Sequence, residues 1–553
     1  MARTFGLASG HSQYMNLFDA AMLSTLLGDL GVSARRRLLA LCRDLATQYP
    51  KAVRRWRLPV GYFRFLADRL DPAAWSGWKV VGWVENMNDL LFFLDLEHQL
   101  RRGRHRQGLV RMLYAACEEE LYENRYFEDL FPGGEPKESG LLGRLEGICR
   151  RLALDTVQEA ILLDPTACCL WIGRAKAQER RLVEEIPLGF TPNFERAEPA
   201  WCLGIGTAGG WVVAPPALRR EVQKSRRPAR LHVHRDGLDV SLGSRSWPLL
   251  LRQGTRWVWS WSVVPPQRIE GPGDRIAAGL TVGPTIRYRR GEPHEMLPSP
   301  ADLPQRISTA LDVLKAAWPA GFELVRALTT RIVPVHAAGV VSYSDRTRPG
   351  LSCLNTVDRG NLELVDDLLH ENSHHHLNLI LRRDRLRRKD RHQEVFYSPW
   401  RKSLRSLHGI LHATFTFTMG ACLFDRLASW LVRPASRSLA RRRWLGRDAL
   451  ARARFRCLEE VASVRYALYD LTETAQRLEW LTPQGVRLVT ALRAALVRIE
   501  PRAKRFRPAI LRSPYGAALR RHERRLAEAR ALYTPRLGRS GRITGGNRKR
   551  EKA

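Results

Sequence analysis

The segment from 364 to 381 constrains the fold most strongly, because an apolar pattern there encloses the run His370-Glu371-Asn372-Ser373-His374. Apolar residues recur at helical spacing on both sides of this run, which predicts a buried helix. On that helix His370 and His374 lie one turn apart on one face, so two imidazoles can converge on a single metal ion. A buried imidazole without a partner is costly, and a metal ion relieves that cost. The pattern therefore predicts a metal site, with purely structural histidines as the alternative.

A metal site of this kind needs a third protein ligand, and two candidates follow the motif. Glu394 lies 20 residues after His374. This spacing resembles that of the gluzincin metalloproteases, whose downstream Glu completes a zinc site while the Glu of the motif, here Glu371, is the general base. His412 lies on the next predicted helix, which can fold back antiparallel to the first, with His408 one turn earlier on the same face. The spacing alone leaves both candidates open.

His375 and His376 continue the histidine run but point in other directions. They are rotated from His374 by about 100° and about 200° around the helix axis. We therefore predict that they support the site from behind or lie at the surface, and that they are not metal ligands.

The rest of the chain predicts an α+β protein that is predominantly helical. Residues 1–190 carry leucine- and alanine-rich segments at helical spacing, which predicts a helical N-terminal region. Residues 195–299 alternate short β-prone runs with turn residues, which predicts a small β-rich region. Residues 300–535 return to helical spacing and form the predicted helical domain that carries the H-E-x-x-H motif. The tail at 536–553 is rich in Gly, Arg and Lys, and it is predicted to be disordered.

Local patterns refine this outline. The pair Asp236-Gly237 between two alternating runs predicts a β-hairpin. Trp257, Trp259 and Trp261 alternate with a period of two, so a strand would place them on one sheet face. We favour packing of that face against a helix over an aromatic peptide-binding surface. Further strands are predicted at 332–335 and within 339–355, and further helices at 403–431, 449–480 and 482–499.

The positive charge limits the classes of binding partner that are expected, but it does not identify one of them. The chain has 91 Lys and Arg against 56 Asp and Glu, which gives a formal net charge of +35 that Arg dominates. A genome rich in G and C would produce this bias without a function, whereas a functional charge favours an acidic peptide, nucleic acid or an anionic surface. The sequence has no helix-turn-helix signature or zinc-finger spacing, so specific nucleic-acid recognition is not expected.

Cysteine use and hydropathy bear on the compartment. Nine cysteines without a Cys-x-x-Cys pair are typical of buried thiols in a reducing compartment. The first 30 residues lack the basic and apolar regions of a signal peptide. No run of about 18 apolar residues indicates a membrane span. We therefore expect a cytoplasmic protein without a membrane partner.

The residues after the motif resemble a known family. The block Phe396-Tyr397-Ser398-Pro399-Trp400-Arg401, followed by Leu411-His412 and the aromatic pair Phe415 and Phe417, is similar to the block that follows H-E-x-x-H in the 2-oxoglutarate-dependent H-E-x-x-H-type peptide β-hydroxylases of ribosomal peptide gene clusters. The upstream residues Ser342-Tyr343-Ser344 and Pro349-Gly350 and the segment 481–486 also resemble that family. The resemblance covers residues 225–535.

The resemblance implies Fe(II), 2-oxoglutarate and O2 as cofactor and cosubstrates. It implies that His370 and His374 hold the iron together with a third ligand, for which we favour His412 and keep Glu394 as the alternative. The usual non-haem iron site has two His and one carboxylate, so a site with three His departs from it. Glu371 would then be either a further ligand or a base.

The implied cosubstrate also needs a cationic partner for its distal carboxylate. Arg401 and Arg405 lie just before the His412 segment. A guanidinium group suits this role because it binds a carboxylate through two parallel N–H groups. In a chain so rich in Arg, simple surface charge is the alternative explanation for either residue.

Three functions are consistent with these features. The first is Fe(II)- and 2-oxoglutarate-dependent hydroxylation of a ribosomally made precursor peptide, for which the positive charge of the chain allows an acidic sequence. The second is a zinc metallopeptidase of the gluzincin type. The third is a non-enzymatic protein that binds a peptide or nucleic acid through its basic surface. We favour the first because of the resemblance in the block after the motif.

Overall fold

The computed structural model of the protein describes residues 17–103, 106–120, 130–131, 137–188, 202–225, 228–269, 280–289, 292–357, 359–388, 394–433 and 439–533. The tail at 536–553, predicted to be disordered, lies outside these residues, as does part of the basic loop after the motif helix. The structure is 62% helical with 15% strand, so the prediction of a predominantly helical α+β protein is confirmed.

The described helices are α1 (Ala20–Gln48), α2 (Pro50–Arg55), α3 (Val60–Arg69), α4 (Trp78–Arg101), α5 (Arg106–Glu120), α6 (Leu141–Leu163), α7 (Pro165–Ile172), α8 (Ala177–Arg180), α9 (Pro216–Lys224), α10 (Leu303–Ala317), α11 (Pro319–Leu328), α12 (Asn361–Arg383), α13 (Leu407–Leu431), α14 (Leu439–Leu445), α15 (Ala449–Asp470), α16 (Pro483–Leu511) and α17 (Gly516–Tyr533). A 3-10 turn at Pro72–Ser76 precedes α4, and a π-helical turn at Leu471–Gln476 follows α15.

The described strands are β1 (Glu185–Pro187), β2 (Cys202–Ile205), β3 (Gly210–Val213), β4 (Arg230–His234), β5 (Gly237–Leu242), β6 (Arg245–Gln253), β7 (Arg256–Trp259), β8 (Ser262–Val264), β9 (Gln267–Arg268), β10 (Thr281–Val282), β11 (Thr285–Arg289), β12 (Glu292–Leu297), β13 (Arg331–His336), β14 (Tyr343–Ser344), β15 (Leu351–Asn355), β16 (Phe396–Ser398) and β17 (Ser403–Arg405).

The middle of the chain forms an antiparallel sheet in the order β1-β4-β5-β6-β7. The hairpin predicted at Asp236-Gly237 is confirmed, because β4 and β5 pair there. β7 ends at Trp259, so the prediction that one strand carries three tryptophans is wrong for Trp261, which lies beyond the strand and is buried. Trp257 and Trp259 are partly buried against the core, which agrees with a packing face.

A second, mixed sheet leads into the motif helix. Its strand β13 pairs in parallel with β10, β11 and β15, and β14 pairs antiparallel with β15. The strands predicted at 332–335 and within 339–355 are therefore confirmed. The chain leaves β15 and enters α12 after a turn of a few residues, so the sheet fixes where the motif helix begins.

The first helix contributes to two separate hydrophobic cores. Apolar residues of its first half, including Leu23, Leu26 and Leu30, pack in a C-terminal core with α10 to α17. Residues of its second half, including Leu38 and Leu41, pack in an N-terminal core with α3 to α7 and the antiparallel sheet. One continuous helix of 29 residues therefore joins the two cores.

Two ion pairs with little solvent exposure also connect the N-terminal helices to the motif region. Arg348 donates to Glu159 at 3.0 Å, and its guanidinium group lies so close to Gly82 that a Cβ atom there would come within 2.3 Å of it. Arg382, in the last turn of α12, donates to Glu85 at 2.7 Å. Removal of one partner from such a pair leaves a buried charge without compensation, so each pair is sensitive to substitution of either partner.

The helix predicted at 403–431 begins later than expected, at Leu407. The Ser406 side chain caps it by accepting a hydrogen bond from the Gly409 N–H at 3.4 Å. Ser403–Arg405 instead pairs with Phe396–Ser398 as an antiparallel ribbon. The next predicted helix ends at Asp470 instead of 480, and the one after it extends from Pro483 to Leu511 instead of 499.

Among the described residues, one helix is long and apolar enough to cross a membrane. This is Leu407–Leu431, with a mean hydropathy of 1.3 in its most apolar window. The sequence analysis expected no segment long and apolar enough to span a membrane, and this helix is an exception to that expectation. Because 78% of that window is buried inside the protein, the helix has the surroundings of a core helix, and length and composition alone are weak evidence for a span.

Candidate metal centre

The motif lies on α12, as the apolar periodicity predicts. Leu362, Val365, Leu368 and Leu369 are among the residues that bury one side of this helix. The helix carries Glu363 in its first turn and two arginines in its last turn, which complements the helix dipole. His370 and His374 share a less buried side, with their ring centroids 5.0 Å apart.

The predicted third histidine lies beside the motif. His370 packs edge-on against Phe417, and His374 stacks against His412, so α12 and α13 run antiparallel as predicted. The Nδ1 atoms of His374 and His412 are 3.4 Å apart. Two nitrogens bound to one tetrahedral ion with bonds of about 2.0–2.1 Å lie about 3.3 Å apart. The distance therefore fits a shared cation, and it also fits an N–H of one ring that donates to the other.

His408, the alternative on the same helix, sits one turn before His412. Its ring centroid is 4.6 Å from that of His412, at an interplanar angle of 61°. It therefore extends the histidine cluster away from the motif helix. His412, and not His408, makes the direct approach to the motif.

All four of these imidazoles are held in the neutral form. Burial lowers the pKa of His370 and of His412 to about 4, and nearby guanidinium groups add to the effect. Burial also lowers the pKa values of His374 and His408 well below the usual range, and the neighbouring histidines contribute. A neutral imidazole offers a free lone pair, which is the form that binds a metal ion.

Glu371 is buried beside these histidines. Its Oε2 atom has no hydrogen-bond partner among the described residues. Burial raises the pKa of Glu371 to about 8, and the nearby Ser344 hydroxyl opposes that shift. A pKa of about 8 keeps this buried carboxyl group protonated at neutral pH, and a bound cation would favour its ionised form.

The donor set fits a metal ion in residue type and in the placement of two ligands. Within the described part of the chain, however, no three His, Cys, Asp or Glu side chains already form a group that could hold an ion. The ring of His370 is turned 77° from that of His374. A three-histidine site therefore requires small side-chain movements that bring the ring nitrogens of His370, His374 and His412 to one point.

Glu394, the alternative third ligand, is exposed and lies just before β16. Among the described side chains, no hydrogen bond or ion pair joins it to a histidine of the motif. Its surroundings are therefore those of a solvated surface carboxylate, whereas His412 is in direct contact with His374.

A network of hydrogen bonds and an ion pair supports the face of α12 that carries the motif. Asp367 accepts a hydrogen bond from the Ser342 hydroxyl at 2.7 Å, and the same hydroxyl accepts one from the Asn355 N–H at 3.0 Å. Arg359 lies 3.5 Å from Asp367. The loop before β14, the end of β15 and the motif helix are thereby fixed to one another, which gives Ser342 a structural role.

A second chain of contacts reaches the same face from α15. Phe417, which touches His370, stacks on Trp400 with ring centroids 4.3 Å apart. The Trp400 indole N–H donates to Glu460 at 2.9 Å. Arg456 lies 2.6 Å from Glu460 and 3.6 Å from Asp366.

Sequence reasoning missed Arg456 and Glu460. The signal for Glu460 was a carboxylate among the apolar residues of α15, between Cys457 and Val461. Tyr397 is buried in a small hydrophobic cluster with Tyr466 and Leu526, and its ring stacks on Tyr533 of the last helix.

The structure places the two predicted carboxylate-binding arginines differently. Arg401 is exposed, and its charge is one cause, after burial, of the lowered pKa of His370 and His374. Arg405 is half-buried on β17, with its side chain against Gly409. Arg401 therefore lies near the motif, and Arg405 lies near the start of α13.

Two further arginines approach the histidine cluster from other elements. After burial, the charges of Arg387 and Arg346 contribute to the lowered pKa of both His408 and His412. Arg387 follows the motif helix, and Arg346 lies in the loop between β14 and β15. Neither residue has a spacing signal in the sequence, because the loops that carry them meet only in the folded chain.

His375 and His376 are both fully buried, so the option that they lie at the surface is wrong. His375 Nε2 lies 3.3 Å from the Ser352 hydroxyl of β15. His376 packs edge-on against Phe415, and neither of its ring nitrogens has a hydrogen-bond partner among the described residues. Both side chains face the interior and not the motif face.

Comparison with known proteins adds no relative. No protein-family model matches the chain, and no curated protein matches it.

Proposed function

We propose that this protein is an Fe(II)- and 2-oxoglutarate-dependent enzyme that hydroxylates a ribosomally made peptide. The observation that carries the proposal is the 3.4 Å approach of His412 to His374, which adds a third imidazole to the two of the motif. Iron and 2-oxoglutarate are proposed because the block after the motif resembles that of the peptide β-hydroxylases. The neutral state of the imidazoles and the unpartnered oxygen of Glu371 are consistent with a bound cation.

In this proposal each residue has a separate task. His370, His374 and His412 hold the iron, and Glu371 either completes the set or takes a proton. Iron supplies the activation of O2, from which one oxygen atom enters the peptide as a hydroxyl group and the other enters succinate as 2-oxoglutarate loses CO2. Arg401 is the favoured partner for the distal carboxylate because its charge already reaches His370.

The direct test supplies purified protein with Fe(II), 2-oxoglutarate, O2 and the precursor peptide encoded beside its gene. We expect succinate in equal amount to peptide that has gained one oxygen atom, measured by mass spectrometry. His412→Ala should abolish both products, whereas Glu394→Gln should leave both unchanged. Succinate release from the wild type without any dependence on peptide, or no succinate at all, would contradict the proposal.

The metallopeptidase remains the second candidate because it uses the same two histidines. It requires Glu394 as the zinc ligand, and the exposed position of Glu394 gives no support for that role. Elemental analysis separates the two candidates. Stoichiometric zinc that is lost in Glu394→Gln but kept in His412→Ala, together with shortened peptide products, would favour the peptidase.

A further inference from the structure

The last two helices carry an exposed basic surface. Residues 483–553 contain 20 of the 91 Lys and Arg but only four of the 56 Asp and Glu. On both α16 and α17 the apolar residues face the core, as Leu488, Leu492 and Ile499 of α16 do. The opposite faces of the two helices carry exposed arginines, of which six define the surface discussed here: Arg493, Arg498, Arg505, Arg520, Arg521 and Arg524.

These six arginines have no ion-pair partner among the described residues. Two other arginines of the same helices form ion pairs with buried carboxylates of the fold. Arg502 binds both carboxylate oxygens of the buried Asp425 at 2.8 and 2.7 Å, and Arg530 pairs with the buried Asp470. The fold therefore uses the inward arginines as anchors, and it leaves the outward ones to solvent or to a partner.

The end of α17 lies close to the candidate site. Tyr533, at the end of α17, stacks on Tyr397 of β16 with ring centroids 5.2 Å apart and planes only 3° from parallel. Tyr397 lies a few residues before Trp400 and Arg401, which belong to the surroundings of His370. The end of α17 therefore packs against the strand that leads to Trp400 and Arg401, so a chain bound along α17 would end near the histidine site.

We infer that the six outward arginines of α16 and α17 bind an acidic segment of the peptide substrate and so hold that substrate near the histidine site, an inference that rests on the proposed function. Arginine suits this task because its guanidinium group binds a carboxylate through two N–H groups. The 18 residues of α17 span about 27 Å. An extended peptide of about eight residues covers that length.

An acidic peptide fits this surface better than a single-stranded nucleic acid does. Proteins that bind single strands stack the bases on exposed aromatic rings. The aromatic residues of this surface are already engaged: Arg454 covers Phe506, Tyr515 stacks on Phe455, and Tyr533 stacks on Tyr397.

The test measures binding without metal or 2-oxoglutarate, so that a failure of the proposed chemistry does not affect it. The probe is a fluorescein-labelled oligoglutamate of about ten residues, followed by fluorescence anisotropy with the full-length protein. The variant is Arg520→Glu/Arg521→Glu/Arg524→Glu. Its matched control is Arg36→Glu/Arg219→Glu/Arg220→Glu, which changes the net charge equally at exposed arginines of α1 and α9.

We expect the α17 variant to weaken oligoglutamate binding about tenfold or more, and the control to weaken it by less than about threefold. An equal loss in both variants would show that only the overall charge acts, and it would overturn the inference. So would tighter binding of a mixed-sequence single-stranded DNA of matched charge than of oligoglutamate. If oligoglutamate binding behaves as expected but no peptide is hydroxylated, the result supports the acidic-segment binding surface and contradicts the proposed hydroxylation.

Discussion

The motif helix presents two pairs of histidines to two different surroundings. His370 and His374 face His412 and a network of carboxylates and arginines, and they keep partial access to solvent. His375 and His376 face Ser352 and Phe415 in the interior and have none. The same residue type on neighbouring turns of one helix therefore meets two different surroundings, and the contacts of each side chain distinguish one pair from the other.

The largest effect should come from removal of a histidine on the motif face. His374→Ala takes away one nitrogen of the pair that is 3.4 Å apart. We expect the affinity for Fe(II) or a substitute divalent ion to fall about a hundredfold or more, because each ligand carries a large share of the binding free energy. Isothermal titration calorimetry under anaerobic conditions measures it. His376→Leu on the same helix is the matched control, and an equal loss there would erase the distinction between the pairs.

Removal of the arginine behind the motif face should destabilise the fold. Arg456→Met leaves Glu460 and Asp366 without their cation, so we expect a loss of about 3 kcal/mol in the free energy of unfolding at neutral pH. Chemical denaturation followed by circular dichroism gives this value. Arg465→Met, which breaks the exposed pair with Glu500, should cost no more than about 1 kcal/mol. Similar losses in both variants would mean that the network adds nothing beyond a surface pair.

The carboxylate of Glu460 should make stability depend on pH near neutrality. Burial raises the pKa of Glu460 to about 7, so the folded state holds this proton more tightly than the unfolded state. The stabilisation is fully present below the pKa of an unfolded Glu, and it is lost as the pH rises through 7. Between pH 5 and pH 8 the wild type should lose about 2–3 kcal/mol more than Glu460→Gln. Parallel pH profiles of unfolding free energy for the two proteins would refute this.

The smallest effect is expected on the interior face. His376 is fully buried with two unpartnered ring nitrogens, so His376→Leu removes polar atoms that the interior does not satisfy. We expect the variant to be more stable by about 1 kcal/mol, with metal affinity unchanged. Thermal denaturation and the calorimetric titration described above measure both. A loss of stability of that size would indicate that His376 has a polar partner in solution.

The motif helix, the hairpin at Asp236 and the strand β13 were predictable because each has a local pattern of apolar residues and turns. The start of α13 was not. Ser403–Arg405 has no strand pattern of its own, and it becomes a strand only by pairing with Phe396–Ser398. The direction of His375 and His376 also follows from which elements surround α12, and that depends on the whole fold.

For the candidate site, the sequence indicated the histidines but not the residues that hold them. His370 and His374 were identified from their spacing, and His412 was favoured because of the resemblance in the block after the motif. Arg456 and Glu460 were not, because they come from α15 and meet α12 only through tertiary packing. Supporting contacts between distant segments leave little trace in a single sequence, since an arginine or a glutamate on a helix is usually a solvated residue.

The long first helix has a consequence for synthesis of the chain. Leu38 and Leu41 can be covered as soon as the N-terminal core has emerged from the ribosome. The stripe of Leu23, Leu26 and Leu30 belongs to the other core, and α11 and α12, against which α1 packs there, are translated some three hundred residues later. During that interval the nascent chain exposes these leucines to solvent. Shelter by a chaperone would keep that stripe from aggregating before its packing partners are made.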